Sequence, residues 1–509
     1  MAKRDQENYR KLFEKSYEAK ILEGISNILG WDQETMMPEG ASAIRGEQLK
    51  TMAGLIHKSK TSPDFKEALS NLIDIKNGKI IAKGLSKEQE SALKCWRKDY
   101  LRDVALPEEF VKNFAKITSE AQVVWRNAKK DNNFKLFAPY LEKIIDLVKQ
   151  KSRHLSKKGS HPYDALLDEY EPGMTTEDVD SLFKKIKDPI IALLNKIKSK
   201  KQVKDDFLHG KFPDSKQVSF SQTLLDDMGY DKAYGRLDFS SHPFSSSSHP
   251  TDSRITTRIH PTSLMSNISV ILHEGGHALY EMGLDPKEYG SPLGQAVSLG
   301  IHESQSRFWE TRIGKNKAFW KHYFPLLKKA FPKGLEKIDL DLFYKAINKV
   351  EPSFIRVEAD EVTYPLHVIL RFELEKDLIE GKLKVKDLPK AWNKKMKEYF
   401  GITPKNDQEG CLQDVHWSMG AFGYFPTYAL GNMYAAQLFE TLEKEQPNLE
   451  KKLEKGQIAF LKEWLKAKVY RYGRQFESLE LLKESTGKPF TEKAYVDYLQ
   501  KKYKEIYGL

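Results

Sequence analysis

Five consecutive residues, His273-Glu274-Gly275-Gly276-His277, have the types and spacing to do metal chemistry. On a helix, residues four apart project from one face, one turn apart, so the two imidazoles can reach one ion. Glu274 then stands beside the ion rather than toward it, placed to handle a proton on an activated water. The bland alternative is a pair of surface histidines on an amphipathic helix. The sequence around them, TSLMSNISVILHEGGHALYEMGL, argues otherwise. Leu264, Ile268, Ile271, Leu272 and Leu279 form an apolar stripe, Thr262 or Ser263 can cap the start, and Gly283 sits where the helix should stop. Two glycines inside a helix each cost about 1 kcal/mol relative to Ala, so Gly275 and Gly276 imply a close approach by another group.

A catalytic zinc takes three protein ligands and keeps one position open. Glu281 lies two turns beyond His273, about 12 Å along the axis at about 1.5 Å per residue, too far to converge with both histidines. The third ligand should come from another element. Glu303 fits, in the stretch SPLGQAVSLGIHESQSRFWETRIG, which reads as a helix from near Pro292 to before Gly314. Its neighbour His302 is the rival, since adjacent helical residues differ by about 100° in direction and only one faces the ion.

The elements that must position these groups are mostly helices. Over the first 200 residues, apolar positions recur near a 3.6-residue period, as at Tyr9, Leu12, Phe13, Tyr17, Ile21, Ile25, Ile28 and Leu29. Charges recur at three- and four-residue steps, the pattern of solvated helix faces. Residues 235–260 break the pattern with a Ser- and Pro-rich stretch. Ser content alone suggests a linker. Within it, Ile255, Thr257 and Ile259 alternate with Arg254, Thr256 and Arg258, which predicts a half-buried strand. The fold class is therefore mainly α: one large helical body with a small β element beside the HExxH helix.

Composition sets the outer bounds. The chain has 509 residues, 40% hydrophobic and 11% aromatic, which excludes a disordered chain. Two cysteines, Cys95 and Cys411, exclude a cross-linked mini-protein and are read as free, buried thiols. No apolar run reaches the roughly 18 residues needed to span a bilayer, and the first residues lack an apolar signal core. The expectation is a soluble, cytoplasmic protein. The net charge of +11 raises a distant alternative, a basic nucleic-acid-binding protein, with lysine-rich stretches such as LNKIKSKKQVK (194–204) in its favour. Lysines interleaved with acids on helix faces, and the lack of any nucleic-acid motif, argue against it.

Several further motifs accompany HEGGH in order along the chain. They are WDQETMMPEGASAIRGEQL (31–49), His242-Pro243-Phe244, Asp252-Ser253-Arg254-Ile255-Thr256 and His302-Glu303-Ser304-Gln305. Later come IRVEAD (355–360), GCLQDVHW (410–417) and FGYFPTYALG (422–431). As a set they resemble the carboxypeptidase Taq family of zinc metallocarboxypeptidases. The resemblance implies a gluzincin fold with a Glu as third ligand, so that His273, His277 and Glu303 hold one divalent metal per chain and Glu274 is the catalytic glutamate. The expected metal is Zn2+, with Co2+ also accepted by this ligand set. It also implies a single catalytic domain over 1–509, in which about 1–210 forms a helical lid over a deep cleft and about 211–509 carries the zinc site. A homodimer, removal of C-terminal amino acids with broad specificity, and poor action on proline follow from the same likeness.

Roles for other residues follow from chemistry within these motifs. A developing oxyanion needs donors, for which His416, Tyr424 and Tyr428 are candidates. An exopeptidase must hold a free carboxylate, and a guanidinium matches it in a bidentate way. Arg356 is the first choice, helped by Tyr428, against the alternative of an ion pair with Glu358, Asp360 or Glu361. Arg254 is second, on a strand whose edge would pair with substrate backbone. His242 and Asp252 are expected to shape that wall, and Asp414 to orient a metal-bound histidine. The expected partners are peptides with a free C-terminal carboxylate, with no nucleic acid and no membrane. A zinc oligopeptidase or dipeptidyl carboxypeptidase is the alternative of the same class.

Overall fold

A computed structural model describes residues 3–240 and 242–509. The apolar periodicity of the first 200 residues becomes a succession of helices, beginning with Lys3–Thr35 and running to Thr176–Lys198. Their starts follow ordinary capping chemistry. Ser86 and Thr175, for example, form capping boxes with Gln89 and Asp178.

Two hydrophobic cores organise the described residues. The smaller gathers Leu12, Phe65, Leu69, Leu72, Leu93, Trp96 and Tyr100, all from the first helices. The larger runs from Ala121 to Tyr507 and includes most helices around the HExxH segment. Polar pairs join the two parts. Arg474 donates to Asp99 at 2.6 and 2.9 Å, and Lys98 and Arg102 both reach Asp168 at 2.8 Å.

The Ser-rich stretch is not a linker. It folds into a three-stranded sheet of order β1-β3-β2, with β1 Leu237–Phe239, β2 Ser245–His249 and β3 Asp252–Thr257. β3 pairs parallel with β1 and antiparallel with β2. The strand expected around 254–259 therefore stops at Thr257, and the simple alternation fails at Thr256, which is buried with Ile255 and Thr257. The Thr256 hydroxyl explains this, because it accepts from the Phe244 amide at 3.0 Å and from the Ser240 hydroxyl at 2.7 Å. At the next residue, the Thr257 hydroxyl donates to Asn267 on the HExxH helix at 2.7 Å, which docks the sheet against that helix.

The chain's end is part of the main core. Helix Lys493–Tyr507 inserts Lys502, whose ammonium donates to the fully buried Glu361 at 2.8 Å. Glu361 also accepts from Arg312 at 3.2 Å. Among the described residues, no helix is long and apolar enough to cross a membrane.

Candidate active site

The HExxH helix spans Leu264–Gly283, matching the expected limits, although Ser263 at its start makes no side-chain cap bond. It is buried on most faces, because other elements surround it. The glycine pair serves two neighbours. A Cβ on Gly275 would stand 2.9 Å from Met228, and one on Gly276 only 2.6 Å from the Gln305 carbonyl oxygen. Gly276 thus lets the helix that carries Glu303 approach within backbone contact.

That second helix is shorter than the sequence suggested. It runs Leu299–Arg307, preceded by a separate turn at Pro292–Gly294 and continued by a π-helical turn, Phe308–Ile313. Its start is set by Ser298, whose hydroxyl accepts from the Ile301 amide at 3.0 Å, and by buried Glu171, which accepts from the Gly300 amide at 2.9 Å. A third helix, Pro426–Glu445, closes in from the other side. A Cβ on its Gly431 would lie 2.6 Å from Glu303 Cγ.

These contacts bring His273, His277 and Glu303 together, with one ligand atom of each within 4.8 Å of the others. The Nε2 atoms of His273 and His277 lie 3.7 and 3.5 Å from Glu303 Oε2. Two imidazoles and a carboxylate converging on one point fit a divalent ion with a position to spare.

The outward nitrogens of both histidines are already engaged, which leaves Nε2 facing inward. His273 Nδ1 is 2.8 Å from Glu310 Oε2, which also accepts from Arg307 at 2.7 Å. Burial would raise the Glu310 carboxyl, yet Arg307 and His273 hold it down to about 2. His277 Nδ1 is 2.6 Å from His302 Nδ1, and His302 Nε2 is 2.8 Å from Glu281. His302 thus faces His277 instead of joining the group of His273, His277 and Glu303, and Glu281 stands one step further out. Glu310 and Arg307 escaped the sequence reading. The available signal was spacing, since Glu310 follows Glu303 by seven residues, two helical turns along one face.

Glu274 is 8% exposed. Burial pushes its carboxyl up to about 7; His273 opposes the rise, while Glu303 and Glu310 add to it. A carboxyl poised near neutrality can both accept and return a proton.

Beside the triad lies a buried cationic cluster. Arg356 donates to Asp414 Oδ1 through Nε at 3.1 Å and Nη2 at 3.0 Å. Arg371 donates to the other oxygen of Asp414 at 2.6 Å and to Gln413 at 2.6 Å. Arg356 therefore has an acidic partner, but it is Asp414, rather than Glu358, Asp360 or Glu361. Asp414 in turn does not orient a metal-site histidine, because both of its oxygens are taken by guanidiniums. Two buried cations share one carboxylate, which leaves an excess positive charge. Burial, with Arg356 and Arg371, depresses His416 to about 3 against the pull of Asp414, so its ring is neutral. His416 Nε2 meets the Tyr428 hydroxyl at 3.2 Å, and its Nδ1 is buried with no partner among the described residues. The Tyr424 ring packs against His416 and Tyr428, with centroids 5.2 and 5.3 Å away. Tyr428 lies three residues before Gly431 on the helix that touches Glu303, so this cluster adjoins the triad.

The sheet residues stand apart from this group. Arg254 pairs with Asp252 at 2.7 Å and stacks 4.9 Å above Trp31. Its strand β3 is the central one, so both its edges are occupied, in place of the free edge expected for substrate backbone. His242 is exposed, with its carbonyl accepting from Ser240 at 2.7 Å. Among the described residues, no hydrogen bond of His242, Asp252 or Arg254 reaches the triad. Cys95 donates to the Arg474 carbonyl at 3.3 Å and Cys411 is buried, both as free thiols.

A mainly helical body that converges two histidines and a glutamate beside a buried HExxH glutamate defines a metal-dependent hydrolase. Residues 11–503 match the family described as carboxypeptidase Taq (M32) metallopeptidase. The chain is 40% identical to carboxypeptidase 1 of Bacillus subtilis over 95% of each chain. It is 39% identical to thermostable carboxypeptidase 1 of Thermus thermophilus, over 98% of this chain and 99% of that one. The crystal structure of an M32 carboxypeptidase from Deinococcus radiodurans superposes with a TM-score of 0.94 at 36% identity, covering 99% of this chain and 100% of the other. The chain belongs to the carboxypeptidase Taq (M32) family. It is accordingly a metallocarboxypeptidase, a peptide hydrolase that uses a divalent metal.

Proposed function

We propose that this enzyme releases single amino acids from the free C-terminus of peptides, with His273, His277 and Glu303 holding Zn2+. The observation that carries this reading is the cluster beside the triad, where, among the described residues, Arg356 and Arg371 share Asp414 as their one ion-pair partner. A buried excess cation requires an anion, and the terminal carboxylate of a peptide is the anion a carboxypeptidase always brings.

When bound, the ion supplies Lewis-acid activation of a water and of the scissile carbonyl. Glu274 takes a proton from the attacking water and passes it to the leaving amine. Tyr424 and His416 serve as donors to the developing oxyanion. Arg356 and Tyr428 hold the carboxylate, while Arg254, Asp252 and His242 shape a more distant wall for the peptide. Broad side-chain specificity, reluctance toward proline, a cytoplasmic location and a homodimer complete the reading on the strength of the family resemblance. Co2+ suits the same donors.

The test is a paired substrate. A blocked peptide and its C-terminal amide are incubated with enzyme whose metal content has been measured. The acid should be trimmed stepwise and the amide spared. Equal cleavage of both, or cuts within the chain, would overturn the reading in favour of an oligopeptidase.

A further inference from the structure

Arg356 has a neighbour that the carboxylate reading leaves unused. Its Nη1 donates to the Tyr364 hydroxyl at 3.2 Å. That hydroxyl is thereby an acceptor, and its own proton has no acceptor among the described residues. Tyr364 is only 8% exposed, so the idle donor is not aimed at bulk solvent. The Tyr428 hydroxyl, which the carboxylate reading already uses, also meets His416 Nε2 at 3.2 Å.

Tyr364 is also rigidly placed. It opens the helix Tyr364–Glu380, and the turn before it is tied by Asp360 of the IRVEAD segment. Asp360 accepts from the Val362 and Thr363 amides at 2.8 and 3.0 Å and from the Thr363 hydroxyl at 2.8 Å. One short segment thus supplies Arg356 and fixes the phenol beside it. The face of the Tyr364 ring lies 4.9 Å below the Arg307 guanidinium, and its edge packs on Tyr428 at 6.3 Å. The phenol is thus held between the Arg356 and Arg307 guanidiniums, of which Arg307 is paired with Glu310.

We propose that Tyr364 is a carboxylate-binding residue, its hydroxyl and Arg356 Nη1 gripping the two oxygens of the substrate's C-terminal carboxylate as adjacent donors. This deepens the carboxypeptidase reading and rests on it. It assigns Tyr364 to recognition of the terminal acid, separate from the proton transfers of Glu274. A hydrogen bond to a charged group supports roughly tenfold or more in affinity.

The experiment uses the full-length, metal-loaded enzyme and Tyr364→Phe, which removes only the hydroxyl. Metal per chain and thermal midpoint should match the parent, which shows that the site is intact. KM for a blocked peptide acid should then rise about tenfold with kcat little changed. Inhibition by N-acetylphenylalanine should weaken by a similar factor, while that by its amide should not change. Unaltered KM and inhibition in Tyr364→Phe would overturn the assignment. So would an equal loss for acid and amide, or a fall in kcat alone, since a merely structural hydroxyl would act that way. Failure of the underlying reading shows up elsewhere, as a parent enzyme that cleaves acid and amide alike.

Discussion

His277 Nδ1 and His302 Nδ1 lie 2.6 Å apart, and a single proton must sit between them. Glu281 decides whose it is. Its carboxylate lies 2.8 Å from His302 Nε2 and can only accept, which places a His302 proton on Nε2 and makes His302 Nδ1 the acceptor toward His277. His277 must then donate from Nδ1, which leaves its Nε2 lone pair pointing at the triad. Replacing His302 by Ala removes the acceptor and should weaken metal binding by about 10- to 100-fold, read by competition with a chelator. His302→Gln, whose carbonyl can accept, should recover part of the loss. Unchanged affinity in His302→Ala would show that the tautomer is held by something else.

Glu274→Gln keeps the shape of the buried side chain but cannot take a proton. Metal content should be unaffected and kcat should fall by about 10²- to 10⁴-fold. Full turnover in this variant would remove Glu274 from the reaction.

Gly276→Ala tests the approach of the two ligand-bearing helices. The added methyl would sit 2.6 Å from the Gln305 carbonyl and 2.8 Å from Ser306 Cα, both backbone atoms that cannot swing away. Overpacking of this kind costs about 1–3 kcal/mol. The expected outcome is a lower thermal midpoint together with less metal per chain, because the shift displaces Glu303. Gly30, with nothing near its missing Cβ, is the control position.

The acid sensitivity of the fold should be traceable to Glu361. Burial opposes its charge, but Lys502, Arg312 and Lys315 hold its carboxyl down from the ordinary 4.5 to about 2. A depressed carboxyl stabilises the fold fully above its unfolded value, and that contribution is lost as pH falls through the window from about 4.5 to about 2. Glu361→Gln removes the carboxylate that ion-pairs with buried Lys502 and Arg312 and should cost about 3–5 kcal/mol near neutral pH. The variant's thermal midpoint should also fall less steeply than the parent's on acidification. Parallel curves for the two proteins would refute the assignment.

Much of this enzyme was legible in its residues alone. The mainly helical class, the limits of the HExxH helix and the convergence of Glu303, rather than Glu281, with both histidines all rest on local rules. Periodicity, caps and the 1.5 Å rise act within one element, so they can be read along the chain. The motif set extended this to the family, because those residues recur in a fixed order. The Ser-rich strands were harder, since Thr256 is buried by hydroxyl bonds to Ser240 and Phe244, which no alternation pattern encodes.

What only the tertiary structure decided is who partners whom. The ion pair weighed as the alternative for Arg356 lay within its own segment, whereas Asp414, 58 residues on, is its carboxylate partner, shared with Arg371. His302, the rival ligand, and Glu281, already set aside by its distance, form a chain behind His277. The last helix, silent in sequence, proved to anchor Glu361 through Lys502. The physical reason is common to all three. A buried charge must be paired, but any opposite charge satisfies that demand, and packing chooses among them through contacts between segments far apart in the chain.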